Sequence, residues 1–162
     1  MKKFVQSSIA IVALTLMFAS CSSTKGTVSS TNNVSRGKFV GTWTVNNINY
    51  EGLLPGSVQT VFDQAPPNAF IGSSWKLTNS GNGIYTLQNG TSQTIFWSVN
   101  NSAGPAQLFQ FKKLYQGDKA SKVEQGYQLM VAGNDGNSMT LKSPVALGDK
   151  TGYVVYSFTK AP

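Results

Sequence analysis

From residue 39 onward, apolar and polar residues alternate at period two, the spacing of a strand with one buried face. Val40 to Tyr50 predicts a first strand with Trp43 and Val45 on one side. Ser74 to Thr78 brings Trp75 and Leu77 together, and Ile84 to Gln88 does the same for Tyr85 and Leu87. Gln93 to Val99 aligns Ile95, Trp97 and Val99, and Gln107 to Leu114 aligns Phe109 and Phe111. Gly126 to Ala132 aligns Tyr127, Leu129 and Val131. Ser138 to Lys142 aligns Met139 and Leu141, and Gly152 to Lys160 aligns Val154, Tyr156 and Phe158. Amphipathic helical spacing is absent; the pattern leaves room for at most a short helical turn between Gly56 and Asp63.

The connections carry turn chemistry. Ser80-Gly81-Asn82-Gly83, Asn89-Gly90, Ala103-Gly104-Pro105 and Asn134-Asp135-Gly136-Asn137 punctuate the strands. Asn-Gly in particular accepts the positive φ angles of a tight hairpin. Short links make sequential strands antiparallel neighbours. The exception is the first connection, Glu51 to Ser73, which holds Leu53, Leu54, Val58, Val61, Phe62, Phe70 and Ile71. A loop of about twenty residues with this much apolar surface is seldom a bare linker. It is expected to fold onto the strands and close one end. Within the first strand, Trp43 and Val45 share one parity and Ile48 and Tyr50 the other, so Asn46-Asn47 is a candidate β-bulge.

Eight short antiparallel strands avoid exposed edges by closing into a barrel. The expected fold is therefore all-β, an eight-stranded up-and-down barrel. Gly41-Thr42-Trp43 at the head of the first strand matches the Gly-x-Trp signature of the calycin families, and the chain from Phe39 to Lys160 resembles a lipocalin-like domain. That resemblance implies a structural barrel base at Gly41 and Trp43, with a basic side chain from the last strand over the indole. Lys160 is the residue in that place. The helix that usually follows the eighth strand is absent, as is the usual disulfide. In both respects the chain is similar to short lipocalin-like lipoproteins of bacteria.

The segment before the barrel reads differently. Lys2 and Lys3 precede an apolar run, clearest from Ile9 to Leu16, which ends in Met17-Phe18-Ala19-Ser20-Cys21. Basic, apolar and small residues in that order describe a secretory signal peptide, residues 1–20. The run is shorter than the ~20 residues that span a ~30 Å hydrocarbon core. Phe18-Ala19-Ser20-Cys21 resembles the bacterial lipobox, with Phe18 where leucine is commoner. The resemblance implies cleavage before Cys21, diacylglycerol on its thiol and acylation of the new amine. More than one chain is what stable anchoring requires. Residues 21–38, rich in Ser, Thr, Asn and Gly, are expected to be a flexible tether. Residues 39–162 are expected to be the domain. The expected address is the cell envelope, lipid-anchored; Ser22 in place of Asp after the cysteine is compatible with outer-membrane delivery.

Composition narrows the chemistry. The chain of 162 residues has 13 basic and 6 acidic side chains, a net charge of +7, and no histidine. Loss of Lys2 and Lys3 with the signal peptide lowers the mature charge to +5. The lysines are scattered and Arg36 is the only arginine, so a nucleic-acid surface is not expected. Without histidine the commonest general base is missing, and Ser-His-Asp and Cys-His arrangements are excluded. Cys21 is the only cysteine, which leaves no disulfide and no zinc set. The carboxylates Glu51, Asp63, Asp118, Glu124, Asp135 and Asp149 fall mostly in predicted loops. Asn134 to Asn137 lacks the ligand spacing of a calcium loop. No metal, cofactor or catalytic residue is expected.

Aromatic residues remain. Trp75, Tyr85, Trp97, Phe109, Phe111, Tyr127 and Tyr156 fall on inward positions. An eight-stranded interior either fills with side chains or holds one small ligand, and the sequence leaves both open. The functional reading is an apolar pocket lined by these seven, with Phe62, Phe70 and Ile71 as a lid. That describes a non-enzymatic, membrane-anchored binding protein for a small hydrophobic ligand. The alternative is a protein-binding envelope module, a hydrolase inhibitor or assembly factor with a packed core. It calls for an exposed apolar patch around Leu53, Leu54 and Phe62.

Overall fold

Eight strands close on themselves in chain order: β1 Gly41–Glu51, β2 Ser74–Leu77, β3 Asn82–Thr86, β4 Ser92–Asn100, β5 Leu108–Lys113, β6 Tyr127–Asn134, β7 Ser138–Leu147 and β8 Lys150–Lys160. The computed structural model describes residues 33–162, apart from 103, 105 and 122–125. The expected signal peptide, Cys21 and the tether up to residue 32 lie outside the described residues. Every neighbouring pair is antiparallel, and β1 completes the circle by pairing with β8. The fold is the closed up-and-down barrel that the alternation predicts.

Strand limits differ from the expected ones where local pairing overrides pattern. β3 begins earlier, at Asn82, because that residue pairs with Phe96. β7 runs through Pro144 to Leu147, past the expected end at Lys142. Lys142 is the last residue of β7 paired with β6, and beyond it the strand pairs with β8 alone. A strand with one free edge tolerates proline. The expected bulge is present: the β1–β8 register shifts between Val45 and Asn47. The shift turns Ile48 inward on the opposite parity from Trp43 and Val45, and all three are buried. A second irregularity, between Val131 and Gly133 of β6, had no signal in the alternation.

The barrel has two differently built ends. At the base, where β1 starts and β8 stops, a 3-10 turn at Arg36–Phe39 lies across the opening. Phe39 is fully buried, and its carbonyl accepts a hydrogen bond of 2.8 Å from the Trp43 indole. Gln107 clamps the chain just before: Val34 N–H donates to its Oε1 (3.1 Å) and its Nε2 donates to the Val34 carbonyl (2.7 Å). The expectation of a tether reaching to Lys38 is therefore corrected. Val34 to Lys38 belong to the folded domain, because two long-range hydrogen bonds and the burial of Phe39 fix them.

At the rim, the loop between β1 and β2 folds inward. Val61 bridges Ala65, and Phe62 and Asp63 at the tip have φ of 54° and 45°. Two consecutive positive φ values are what a type I′ turn requires. A single helical turn forms at Pro67–Phe70, not between Gly56 and Asp63 as the sequence pattern allowed. Proline at the first helical position presets φ and sacrifices only an N–H with no helical partner. The loop rejoins the sheet where Gly72 N–H donates to the Val45 carbonyl at 2.7 Å.

Candidate functional site

The interior expected to be either hollow or packed is packed, and a loop residue sits at its centre. Phe62 is only 5 % exposed. Its ring lies 5.3 Å from Phe70, 6.1 Å from Trp75, 5.1 Å from Phe111, 5.3 Å from Tyr127 and 5.6 Å from Tyr156. Most of these meet edge to face, the arrangement favoured by aromatic quadrupoles. Trp75 stacks on Tyr85 at 4.7 Å, and Phe70 covers both. Phe62 and Phe70 are thus not a lid over a pocket; they fill the rim half of the lumen. Ile71, the third expected lid residue, is 37 % exposed and lies outside the core cluster. It directly follows the turn that carries Phe70 inward.

Two of the expected pocket residues belong elsewhere. Trp97 and Phe109 stack at 5.7 Å and pack on Phe39 in the base half. The Arg36 guanidinium lies 4.2 Å from the Trp97 ring centroid, and the Trp97 indole donates to the Thr78 carbonyl at 3.1 Å. Lys160 Nζ lies 5.4 Å from the centroid of Trp43, its register partner. Gly41, at φ 136°, lets this lysine pass: a Cβ there would stand 2.5 Å from Lys160 Cε. The structure therefore brings together Trp75, Tyr85, Phe111, Tyr127 and Tyr156 around Phe62. It sends Trp97 and Phe109 to the base, with Gly41, Trp43 and Lys160.

Polar groups hold the Phe62 turn in place. The Tyr127 hydroxyl donates to Asp63 Oδ2 at 2.7 Å. Lys113 Nζ donates to the Asp63 carbonyl at 3.1 Å, and the Tyr85 hydroxyl to Gln64 Oε1 at 3.4 Å. Burial, then the bond to Asp63, pushes Tyr127 far above the ordinary tyrosine range, so it stays a neutral donor. Burial lowers Lys113, partly offset by Asp63. Outside the turn, Asp63, Lys112, Lys113, Tyr115, Gly126 and Tyr127 line an open groove of about 420 Å³. Asp63 and Gln64 carried no sequence signal, because nothing in a loop's alternation marks a latch. Arg36 and Gln107 were missed for the same reason, since their partners are set by closure of the barrel.

Two buried groups are left over among the described residues: Asn134 Nδ2, on β6 opposite Met139, and the Tyr156 hydroxyl in the rim half. The Tyr156 side chain is fully buried, and its hydroxyl has no hydrogen-bond partner among the described residues. An unpartnered buried hydroxyl costs about 1–3 kcal/mol. Burial, with Tyr50 nearby, pushes its ionisation well above the ordinary range and leaves a neutral donor. No charged side chain is buried among the described residues; the buried polar residues are Ser73, Gln107, Gln110 and Asn134, with Gln110 on the outer face between inward Phe109 and Phe111. No three His, Cys, Asp or Glu side chains of the described residues gather to hold a metal. Chemically, the rim half of the lumen can exclude water and bury apolar surface.

No family model and no curated protein matches this sequence. Among solved structures the chain is similar to lobster apocrustacyanin A1, with 9 % identity and a TM-score of 0.41. The match covers 78 % of this chain and 63 % of the lobster chain, less than two thirds of that protein.

Proposed function

We propose that this protein is a non-enzymatic binding protein of the cell envelope, held to the outer membrane by lipid on Cys21, whose barrel seats a small hydrophobic ligand in the place taken by Phe62. The observation that carries the reading is the origin of that central ring. Every other aromatic at the site comes from a strand or from the helical turn of Phe70. Phe62 comes from the tip of a turn and adopts positive φ, a conformation that costs a residue with a side chain about 1–2 kcal/mol. Withdrawing it breaks no hydrogen bond between barrel strands, only the contacts of Asp63 and Gln64 with Tyr127, Lys113 and Tyr85. A ligand of similar girth then meets a surface already shaped for a ring. Opening costs buried area, so the ligand's apparent affinity is reduced by the fraction of open protein.

The partner-binding alternative fits the filled lumen but lacks the surface patch it calls for. It needs exposed Leu53, Leu54 and Phe62, but Phe62 is inside, Leu53 packs on Gly152, and Leu54 alone is largely exposed, at 79 %.

Titration of the full chain with 1-N-phenylnaphthylamine, a dye that brightens in apolar surroundings, tests the proposal. The wild type is expected to bind. Asp63→Ala removes the acceptor for Tyr127 without creating a cavity, so opening becomes easier and binding tightens by roughly fivefold. Absence of binding to both proteins, or equal binding by both, overturns the displaceable-plug reading.

A further inference from the structure

We infer that the ligand is a neutral apolar molecule carrying one hydrogen-bond acceptor, such as a ketone, ester or ether oxygen, and that Tyr156 is the residue that recognises it. This rests on the displaceable-plug reading and specifies the chemistry of the same seat. The Tyr156 ring stacks against Phe62 at 5.6 Å with 29° between planes, so a ligand replacing Phe62 lies against it. Tyr156 is 0 % exposed and its hydroxyl is unpartnered among the described residues. A donor kept in an otherwise apolar lumen, with its own partner missing, is complementary to an acceptor on whatever enters.

While the turn is in place the neighbouring polar groups are committed, Tyr127 and Lys113 to Asp63 and Tyr85 to Gln64. Tyr50, two residues beyond the Tyr156 partner Ile48 on β1, donates to Asn68 Oδ1 at 3.2 Å. The Trp75 indole donates to Ser73 Oγ at 3.0 Å. Tyr156 is thus the one donor of the cluster that lacks a partner with the turn in place, and withdrawal of the turn gives it none. Charge follows from the same inventory. A carboxylate beside Tyr156 would find neutral tyrosine hydroxyls and no buried cation among the described residues, since Lys113 stands at the partly exposed rim, and burying an ion so poorly paired is strongly unfavourable. A pure hydrocarbon would leave the hydroxyl as orphaned as Phe62 does. A neutral acceptor is the chemistry that improves on both.

The test compares 2-acetylnaphthalene with 2-ethylnaphthalene, nearly equal in shape and different in one carbonyl, on the full chain. Binding is measured by ligand-observed NMR for Asp63→Ala and for Asp63→Ala combined with Tyr156→Phe. Expected is a loss of about tenfold in the affinity for the ketone on Tyr156→Phe, the size of one hydrogen bond. The hydrocarbon's affinity is expected to hold or rise. Because Tyr156→Phe deletes an unpartnered group, its unliganded melting temperature is expected to equal or exceed that of the parent. If both ligands bind and Tyr156→Phe changes neither or both alike, the recognition role of Tyr156 is wrong while the seat stands. If neither binds any variant, the seat itself is wrong.

Discussion

Phe62 makes the packing argument quantitative. Replacing it by alanine deletes a ring that touches five other aromatic rings and is 5 % exposed. Phe→Ala at well-packed sites costs about 3–5 kcal/mol, from lost transfer energy plus the cavity left behind. Small domains have only about 5–15 kcal/mol in total, so the effect is easily measured. Glycine separates packing from backbone. Phe62→Gly loses one methyl more than Phe62→Ala, yet φ of 54° suits glycine, which escapes the ~1–2 kcal/mol that alanine still bears there. Against this stands the larger unfolded-state entropy of glycine, about 0.4–1 kcal/mol. The glycine variant should therefore match the alanine variant or exceed it by up to about 1 kcal/mol. Urea unfolding followed by tryptophan fluorescence gives both numbers, provided the m-value is unchanged. A loss below about 1 kcal/mol for Phe62→Ala would refute the central position of the ring. A glycine variant clearly weaker than the alanine one would refute the strained turn.

The tyrosines predict alkaline sensitivity. Burial raises Tyr85 to about 12, whereas an unfolded tyrosine titrates near 10. The folded state therefore keeps its proton to higher pH, and stability is complete below pH 10 and falls as pH rises towards 12. Tyr85 alone accounts for on the order of 2 kcal/mol across that window, and Tyr85→Phe should flatten the decline in the urea midpoint; an unchanged slope would show that burial of Tyr85 is not its cause. At the other end of the chain, Cys21→Ser should move the protein from the membrane to the soluble fraction of its host, and a variant that remains membrane-bound would remove the lipid anchor from the proposal.

The barrel was legible because its cause is local. Inward alternation is written residue by residue, from Trp75 and Leu77 to Tyr156 and Phe158, and a parity slip at Asn46-Asn47 is visible without any partner. What the barrel does with its interior was not legible. Whether seven inward aromatics line a pocket or a core depends on what else enters, and that came from a loop. Phe62 looked like a lid because loop residues outside a sheet have no assigned side. Nor is phenylalanine a residue that announces positive φ, as Asn-Gly does at Asn89-Gly90. The Ser- and Gly-rich composition through Lys38 similarly hid the clamp of Gln107 on Val34, a contact across 73 residues that no window along the chain contains.

The two ends of the lumen differ in what opening each would break. The base is closed by groups in relaxed backbone. Phe39 O receives the Trp43 indole, Gln107 holds Val34 twice, and cations lie over Trp97 and Trp43. Opening it would expose two tryptophans and break directional bonds at once. The rim is closed by a turn with two residues at positive φ, held by a tyrosine–carboxylate bond, a lysine–carbonyl bond and a long tyrosine–amide contact near the surface. Local opening is drawn from regions with few buried contacts and exposed hydrogen bonds, and the latch fits that description even though the ring it holds does not. The partition follows from connectivity. The base is closed by the chain leading into β1 and by the last residue of β8, which pairs with Trp43 of β1. The rim is closed by the longest connection, the segment able to leave without unpairing a strand. On the displaceable-plug proposal, a ligand would enter past Asp63 and first meet the surface that Phe62 leaves.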